Sequence, residues 1–124
     1  MSLVKGEKQL VKFEYDFAVD GGAIGDYDVL EADGAILVEL ITIDCKTAVV
    51  ATATANMDLG KGDGGVEWKS AFDIGGNIAV DVQTPADTAD IILELADGEA
   101  IVMGVDTEVI TAGKLEFVFK VYSR

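Results

Sequence analysis

Apolar and polar residues alternate most clearly in the last ten or so residues of the chain. One face of this closing stretch carries four apolar side chains, Leu115, Phe117, Phe119 and Val121. Successive side chains point to opposite faces of a strand, and at the helical period of about 3.6 residues the same positions would scatter around the cylinder. The pattern therefore predicts a terminal β-strand that needs a sheet to receive it.

The start of the chain shows the same alternation. Its apolar positions are Val11, Phe13, Tyr15, Phe17 and Val19, separated by polar residues and one alanine. The ends of the chain often meet in closed or sandwiched β-proteins. We expect the first and last strands to share a sheet, where they are candidate neighbours.

Three segments in the middle of the chain have other patterns. Residues 35–43 are apolar on both faces apart from Glu39 and Thr42, which predicts a central strand covered on both sides. Residues 48–55 mix alanine with valine and threonine and are interpreted as a separate strand. The glycine-rich residues 58–65 predict an exposed, flexible connection.

The second half of the chain is also interpreted as short strands and turns. Asp97-Gly98 stands between two apolar runs and predicts a β-hairpin, in which Gly104 would weaken or bulge the second strand. The remaining predictions are a strand or edge over 66–74, a strand over 78–82, a loop over 83–90 with Pro85, and a tight turn at Ala112-Gly113.

About eight or nine short strands with glycine- and aspartate-rich turns are typical of a sandwich or barrel. No long amphipathic helix alternates with them, so no βαβ unit is expected. We predict an all-β, single-domain antiparallel β-sandwich that is jelly-roll-like. Residues 1–9 are expected to form a flexible N-terminal tail and residues 10–124 the sandwich domain.

The charge of the chain narrows the range of partners. Twenty-three acidic residues against nine basic ones give a formal net charge of −14. This disfavours nucleic acid and anionic membrane surfaces, which need clustered lysine and arginine. No apolar run is long enough for a membrane-spanning helix, and the N-terminus lacks the pattern of a secretory signal. The acidity is explained by solubility or by a basic or metal-bearing partner.

The residue types argue against catalysis. Without histidine the chain lacks the commonest general base and most transition-metal sites. Cys45 is the only cysteine and has apolar neighbours, so we predict a buried or half-buried structural thiol. Aspartates cluster at turns, where their side chains cap the backbone, and this explains them better than a glycosidase pair does. The protein is expected to be no enzyme and to use no cofactor.

One loop offers a possible metal site. Asp58, Asp63 and Glu67 stand in or beside the glycine-rich segment and are the candidate ligands for calcium. The twelve-residue calcium loop does not fit, because glycines occupy two ligand positions and Lys69 the closing one. A plain flexible loop is the favoured interpretation, with calcium as the alternative.

Three side chains are candidates for an interface between molecules. Trp68 is the only tryptophan and is expected to be a core or interface anchor rather than a carbohydrate platform. Val118 and Tyr122 lie on the otherwise charged face of the last strand, which makes that face less polar than a solvated strand requires. We expect an intersubunit contact there.

Four segments carry a resemblance to known proteins: 22–29 (GAIGDYDV), 34–38 (GAILV), 89–93 (ADIIL) and 111–117 (TAGKLEF). Their order and spacing resemble small virion structural proteins of tailed bacteriophages. The resemblance implies a jelly-roll-like capsid accessory, head-fibre or decoration protein without enzymatic activity. It also implies a homo-oligomer, with a trimer favoured by analogy, other virion proteins as partners, and location in a virion assembled in the bacterial host cytoplasm. It supplies no site residues.

Two functions therefore compete. The first is a phage structural protein that associates with itself and attaches to a capsid or tail lattice. The second is a small carbohydrate- or calcium-binding β-sandwich module. The second would place Trp68 and residues 58–67 in the open beside a concave acidic surface.

Overall fold

The computed structural model describes residues 8–51, 55–74, 83–84, 86 and 91–123. Strands dominate these residues, and the one helix is a single turn. The elements are β1 (Lys8–Asp16), α1 (Phe17–Asp20), β2 (Gly25–Glu31), β3 (Ile36–Ala51), β4 (Asn56–Lys61), β5 (Lys69–Asp73), β6 (Gln83–Thr84), β7 (Ile92–Leu95), β8 (Ala100–Asp106) and β9 (Ile110–Ser123).

The strands form two antiparallel sheets. Sheet A has the order β1-β9-β3, and both β6 and β7 pair with the far edge of β3. Sheet B has the order β2-β8-β4-β5. The predicted all-β antiparallel sandwich is therefore confirmed. No helix among the described residues has the length and apolar content to cross a membrane.

The inner faces of the two sheets meet in one apolar cluster. Sheet A contributes the alternate residues of β9 that the pattern assigned to the buried face, and Phe117 and Phe119 stack with ring centroids 6.3 Å apart. Sheet B contributes Met57, Leu59 and Met103, which are fully buried. Burial of these side chains is the main driving force for holding the layers together.

The first and last strands are neighbours, as expected. β1 and β9 pair along their whole common length, from Lys8 opposite Tyr122 to Asp16 opposite Lys114. The first strand is shorter than predicted. The side chain of Asp16 accepts a hydrogen bond from Ala18 N, 3.0 Å away, and so caps a helical turn that contains Phe17.

β3 differs from its prediction in two ways. It is one strand of 16 residues instead of two, and only one of its faces is fully buried. Ile41 has no partner on β9, because Leu40 pairs with Phe119 and Thr42 with Val118. This bulge shifts the alternation by one residue and leaves Ile41 exposed.

The predicted hairpin at Asp97-Gly98 is wrong. β7 pairs with β3 in sheet A, whereas β8 lies in sheet B between β2 and β4. The turn carries the chain from one layer to the other, and the Asp97 carboxylate accepts a hydrogen bond from Gly34 N at 2.9 Å. A turn motif reports a change of direction and does not specify which sheet receives the next strand.

Two glycines also differ from their predictions. Gly104 keeps regular pairing with Asp26 and Asp58, and the register shift on β2 lies between Asp28 and Leu30. Gly113 makes no turn, because β9 runs straight through it. A Cβ atom there would come within 2.8 Å of Val49 Cα, so glycine permits close approach of β3 and β9.

Several expectations concern residues outside the described part. The predicted strand over 78–82 and most of the Pro85 loop over 83–90 fall there. Gln83 and Thr84 are described, and they form strand β6 where a loop was predicted. Most of the predicted tail also falls outside the described part, since the described chain begins with Lys8.

Candidate interface on the outer faces of the sandwich

Trp68 belongs to the core. It is 1% exposed, its indole N–H donates to the carbonyl oxygen of Ile91 at 3.0 Å, and its ring packs against Phe119. Of the two roles considered for it, core anchor and interface anchor, this position matches the first. An interface role would need the chain to open.

The glycine-rich segment is not the exposed connection that its composition predicted. Its first half, Asp58 to Lys61, is strand β4, in which Leu59 is fully buried. Residues 62–67 then fold back over Gly60, where a Cβ atom would overlap the Glu67 carboxylate and crowd its backbone. Glycine serves close packing here as well as turning, and composition alone does not separate the two uses.

The three calcium candidates do not form a ligand set. Asp58 accepts a hydrogen bond from Ala71 N at 2.7 Å, and Glu67 accepts one from Lys61 N at 2.9 Å. Asp63 is exposed on the turn between them. Within the described residues, no three histidine, cysteine or acidic side chains converge as a metal site would require.

Val118 and Tyr122 lie on the outer face of sheet A. Val118 is 9% exposed, and its strand neighbours are Lys12 on β1 and Thr42 on β3. Tyr122 is half-buried and lies between Lys8 and Leu37 in the sheet. Val118 is therefore the covered centre of this face, and the side chains around it are the accessible ones.

The half of this outer face that contains Glu14 of β1, which we call the lower half, carries a network of ion pairs within the chain. Glu14, Glu116 and Asp44 stand side by side on β1, β9 and β3. Like charges in such positions repel, and lysines on the same face offset this. The pairs are Lys12–Glu116 at 3.8 Å, Lys46–Glu116 at 3.8 Å, Lys46–Asp44 at 3.9 Å, Lys114–Glu14 at 3.9 Å and Lys114–Asp16 at 3.6 Å.

The other half of the face, which contains Leu10 of β1 and which we call the upper half, has exposed apolar side chains. One row crosses four strands in the order Leu10, Lys120, Glu39 and Ile92, which we call the outer row. Leu10 is 65% exposed and Ile92 49% exposed, so apolar side chains stand at both ends of the row. Ile41, the exposed residue at the bulge in β3, lies two residues after Glu39 of this row. Sequence alternation could have placed Leu10 here, whereas Ile92 was expected in a hairpin.

Sheet B presents a mainly acidic outer face. Asp26 and Asp58 flank Gly104 in one row, and Asp28 lies in the next. No large exposed apolar side chain lies on a described strand of this sheet. Two copies brought together through this face would oppose like charges.

A cleft of about 380 Å³ opens between β1, α1 and β2. Tyr15 and Tyr27 meet edge to face at 5.5 Å, and their hydroxyls donate to Gly21 O and Ala23 O. Burial, with the neighbouring Tyr27 and acidic groups, raises the pKa of Tyr15 to about 12. Burial and Asp20 also raise the pKa of Tyr27. Both tyrosines therefore stay neutral at ordinary pH and tie the loop after α1 to the sheets.

The predicted state of Cys45 is confirmed. It is fully buried, is not in a disulfide, and contacts the carbonyl oxygen of Thr47 at 3.3 Å.

Comparison with known proteins gives one informative match. No family model and no curated protein match the chain by sequence. Among solved structures it is similar to a chain described as "Acidic stable capsid structure of Helicobacter pylori bacteriophage KHP30". The TM-score is 0.56 at 13% sequence identity, over 96% of this chain and 90% of that one. The two chains share a fold. Since the match covers nearly all of both, they are also similar in length.

Proposed function

We propose that this protein is a non-enzymatic structural protein of a phage virion. The observation that carries the proposal is the match of nearly the whole chain to a chain of a phage capsid structure. The resemblance of four sequence segments to small phage virion proteins points the same way and rests on different data.

The protein would act by associating with copies of itself and attaching to a capsid or tail lattice. The sandwich suits such a role, because its two outer faces differ in charge and apolar content. The strand order supports the jelly-roll connectivity expected from the sequence, since the chain passes between sheets from β1 to β4 and again from β7 to β9. A trimer remains the proposal by analogy, and the particle would assemble in the host cytoplasm.

The carbohydrate- or calcium-binding alternative is not favoured. It required Trp68 and residues 58–67 to lie open beside an acidic concavity, and Trp68 is buried. Two of the three calcium candidates, Asp58 and Glu67, accept hydrogen bonds from backbone N–H groups of the same chain.

The test is to purify particles of the virus whose genome encodes this chain and to identify their proteins by mass spectrometry. We expect the chain to sediment with the capsid protein at a fixed, stoichiometric ratio, and deletion of its gene to give particles that lack it. Recovery of the chain only from the soluble lysate, with particles complete without it, would overturn the proposal.

A further inference from the structure

The outer row of sheet A has a self-complementary order of side chains. Read across the sheet it is apolar, positive, negative, apolar: Leu10, Lys120, Glu39, Ile92. If a second, reversed copy of this row is placed against the first, each apolar side chain faces an apolar one and each charge faces an opposite charge. In the next row, Tyr122 and Leu37 hold the two central positions, so the same reversal places Tyr122 of one copy against Leu37 of the other.

We propose that a second copy of this chain packs face to face on this half of sheet A, about a two-fold axis parallel to the strands. Such an axis places Lys120 against Glu39 of the second copy, and Leu10 against its Ile92. Each contact occurs twice, as an isologous interface requires. An axis across the strands would instead oppose Lys120 to Lys120, so charge selects the first arrangement.

The charges of this row are available for such a contact. Lys120 and Glu39 are neighbours on adjacent strands, yet within the described residues neither forms an ion pair inside the chain. The lysines of the lower half, Lys12, Lys46 and Lys114, are all paired internally. The unpaired charges thus coincide with the exposed apolar residues.

The overall charge explains why a second copy would choose this face. Copies with a net charge of −14 repel each other. The strands of sheet A carry nearly balanced charge, five lysines and six acidic residues, whereas those of sheet B carry two lysines and six. The electrostatic repulsion between two copies is therefore smallest when they meet through sheet A. The exposed Leu10, Ile41 and Ile92 add apolar area that becomes buried.

This inference deepens the proposed function and rests on it for the role of the contact in a lattice. A two-fold contact here leaves the other surfaces free for a contact of different symmetry. Combining two symmetries is how repeated contacts extend into a shell.

The test is the oligomeric state of the full chain and of charge-reversed variants, measured by sedimentation equilibrium from micromolar to millimolar protein. We expect the wild type to dimerise. Lys120→Glu and Glu39→Lys should each raise the dimer Kd about tenfold, because each turns two attractive contacts into repulsive ones. The double variant, K120E with E39K, should restore the Kd to within about twofold of wild type, since the facing charges are again opposite.

Matched controls lie away from the interface. Lys61→Glu and Glu31→Lys make the same charge changes on sheet B and should leave the Kd nearly unchanged. Leu10→Asp should abolish dimers, whereas Val19→Asp, at a residue 80% exposed on α1, should not. A thermal melt of each variant confirms that it is folded.

A wild type that stays monomeric at millimolar concentration would overturn the inference, and so would a dimer or trimer that the double variant does not restore. A folded Leu10→Asp variant that dimerises like wild type would do the same. If the chain is present in virions but monomeric in solution, the proposed function stands and the two-fold contact fails.

Discussion

Trp68 packs against Phe119 across the sandwich, with ring centroids 5.7 Å apart. Trp68 lies immediately before β5 of sheet B, and Phe119 lies in the second half of β9 in sheet A. Both rings are fully buried, and Phe119 also contacts Phe13 and Phe117. The pair therefore joins the two layers at the centre of the core.

Trp68→Ala should lower the free energy of unfolding by about 3–5 kcal/mol, because it removes a large buried ring and leaves a cavity. Trp68→Phe is the control: it keeps an aromatic contact and loses the hydrogen bond to Ile91 O, at a smaller cost of about 1–3 kcal/mol. Urea unfolding measures both. A loss below about 1 kcal/mol for Trp68→Ala would contradict a central core position.

Tyr15 should make stability fall at high pH. Its pKa is about 12 in the folded chain against the ordinary value of 10.0 for tyrosine, so the folded state holds the phenol proton more tightly. That stabilisation is complete below pH 10 and is lost as the pH rises toward 12. The measurement is the free energy of unfolding of wild type and Tyr15→Phe at increasing pH. The difference between them should shrink across this window, and a constant difference would refute the assignment.

Gly22→Ala should be strongly destabilising. A Cβ atom at Gly22 would overlap the carbonyl oxygen of Ile110, whose N–H donates to Gly22 O at 2.8 Å. We expect a loss of about 3 kcal/mol, at the upper end for overpacking. Gly104→Ala is the matched control, since its nearest contact would be Asp26 Oδ1 at 3.4 Å, and it should change stability by under about 1 kcal/mol. Equal losses in thermal melts would contradict this contrast.

Calcium should leave the melting temperature unchanged at millimolar concentration. Asp58 and Glu67 already accept hydrogen bonds from backbone N–H groups, and Asp63 has no converging partners among the described acidic groups. A ligand that binds only the folded state must raise the melting temperature. A rise that Asp63→Asn abolishes would restore the calcium interpretation, and magnesium serves as the ionic control.

Cys45 should react with a thiol reagent only when the chain opens. Cys45 lies on β3 and is fully buried. Its labelling rate should therefore increase with denaturant in parallel with unfolding. Val49, buried on the same strand, offers a control: V49C should be protected to the same degree, whereas V50C, at an exposed position, should react at once. Rapid labelling of Cys45 in the native protein would contradict the buried position.

The sequence by itself determined the fold class and the inward faces of the two end strands, whereas their pairing was an expectation that the structure confirmed. Alternation at residues 11–15 and 115–121 specified which side chains face inward, because a strand has two faces and burial of one selects the register. It also determined the absence of histidine chemistry, the buried thiol and the charge that limits partners. These properties depend on residue type and local period alone.

Only the tertiary structure decided which strands share a layer and which outer residues become neighbours. Asp97-Gly98 looks like a hairpin turn in sequence, yet it connects two sheets, since a turn does not encode the pairing partner. The outer row joins Leu10 to Ile92 through Lys120 and Glu39, which are distant in sequence. Such a row exists only after non-local pairing, so no period along the chain reveals it.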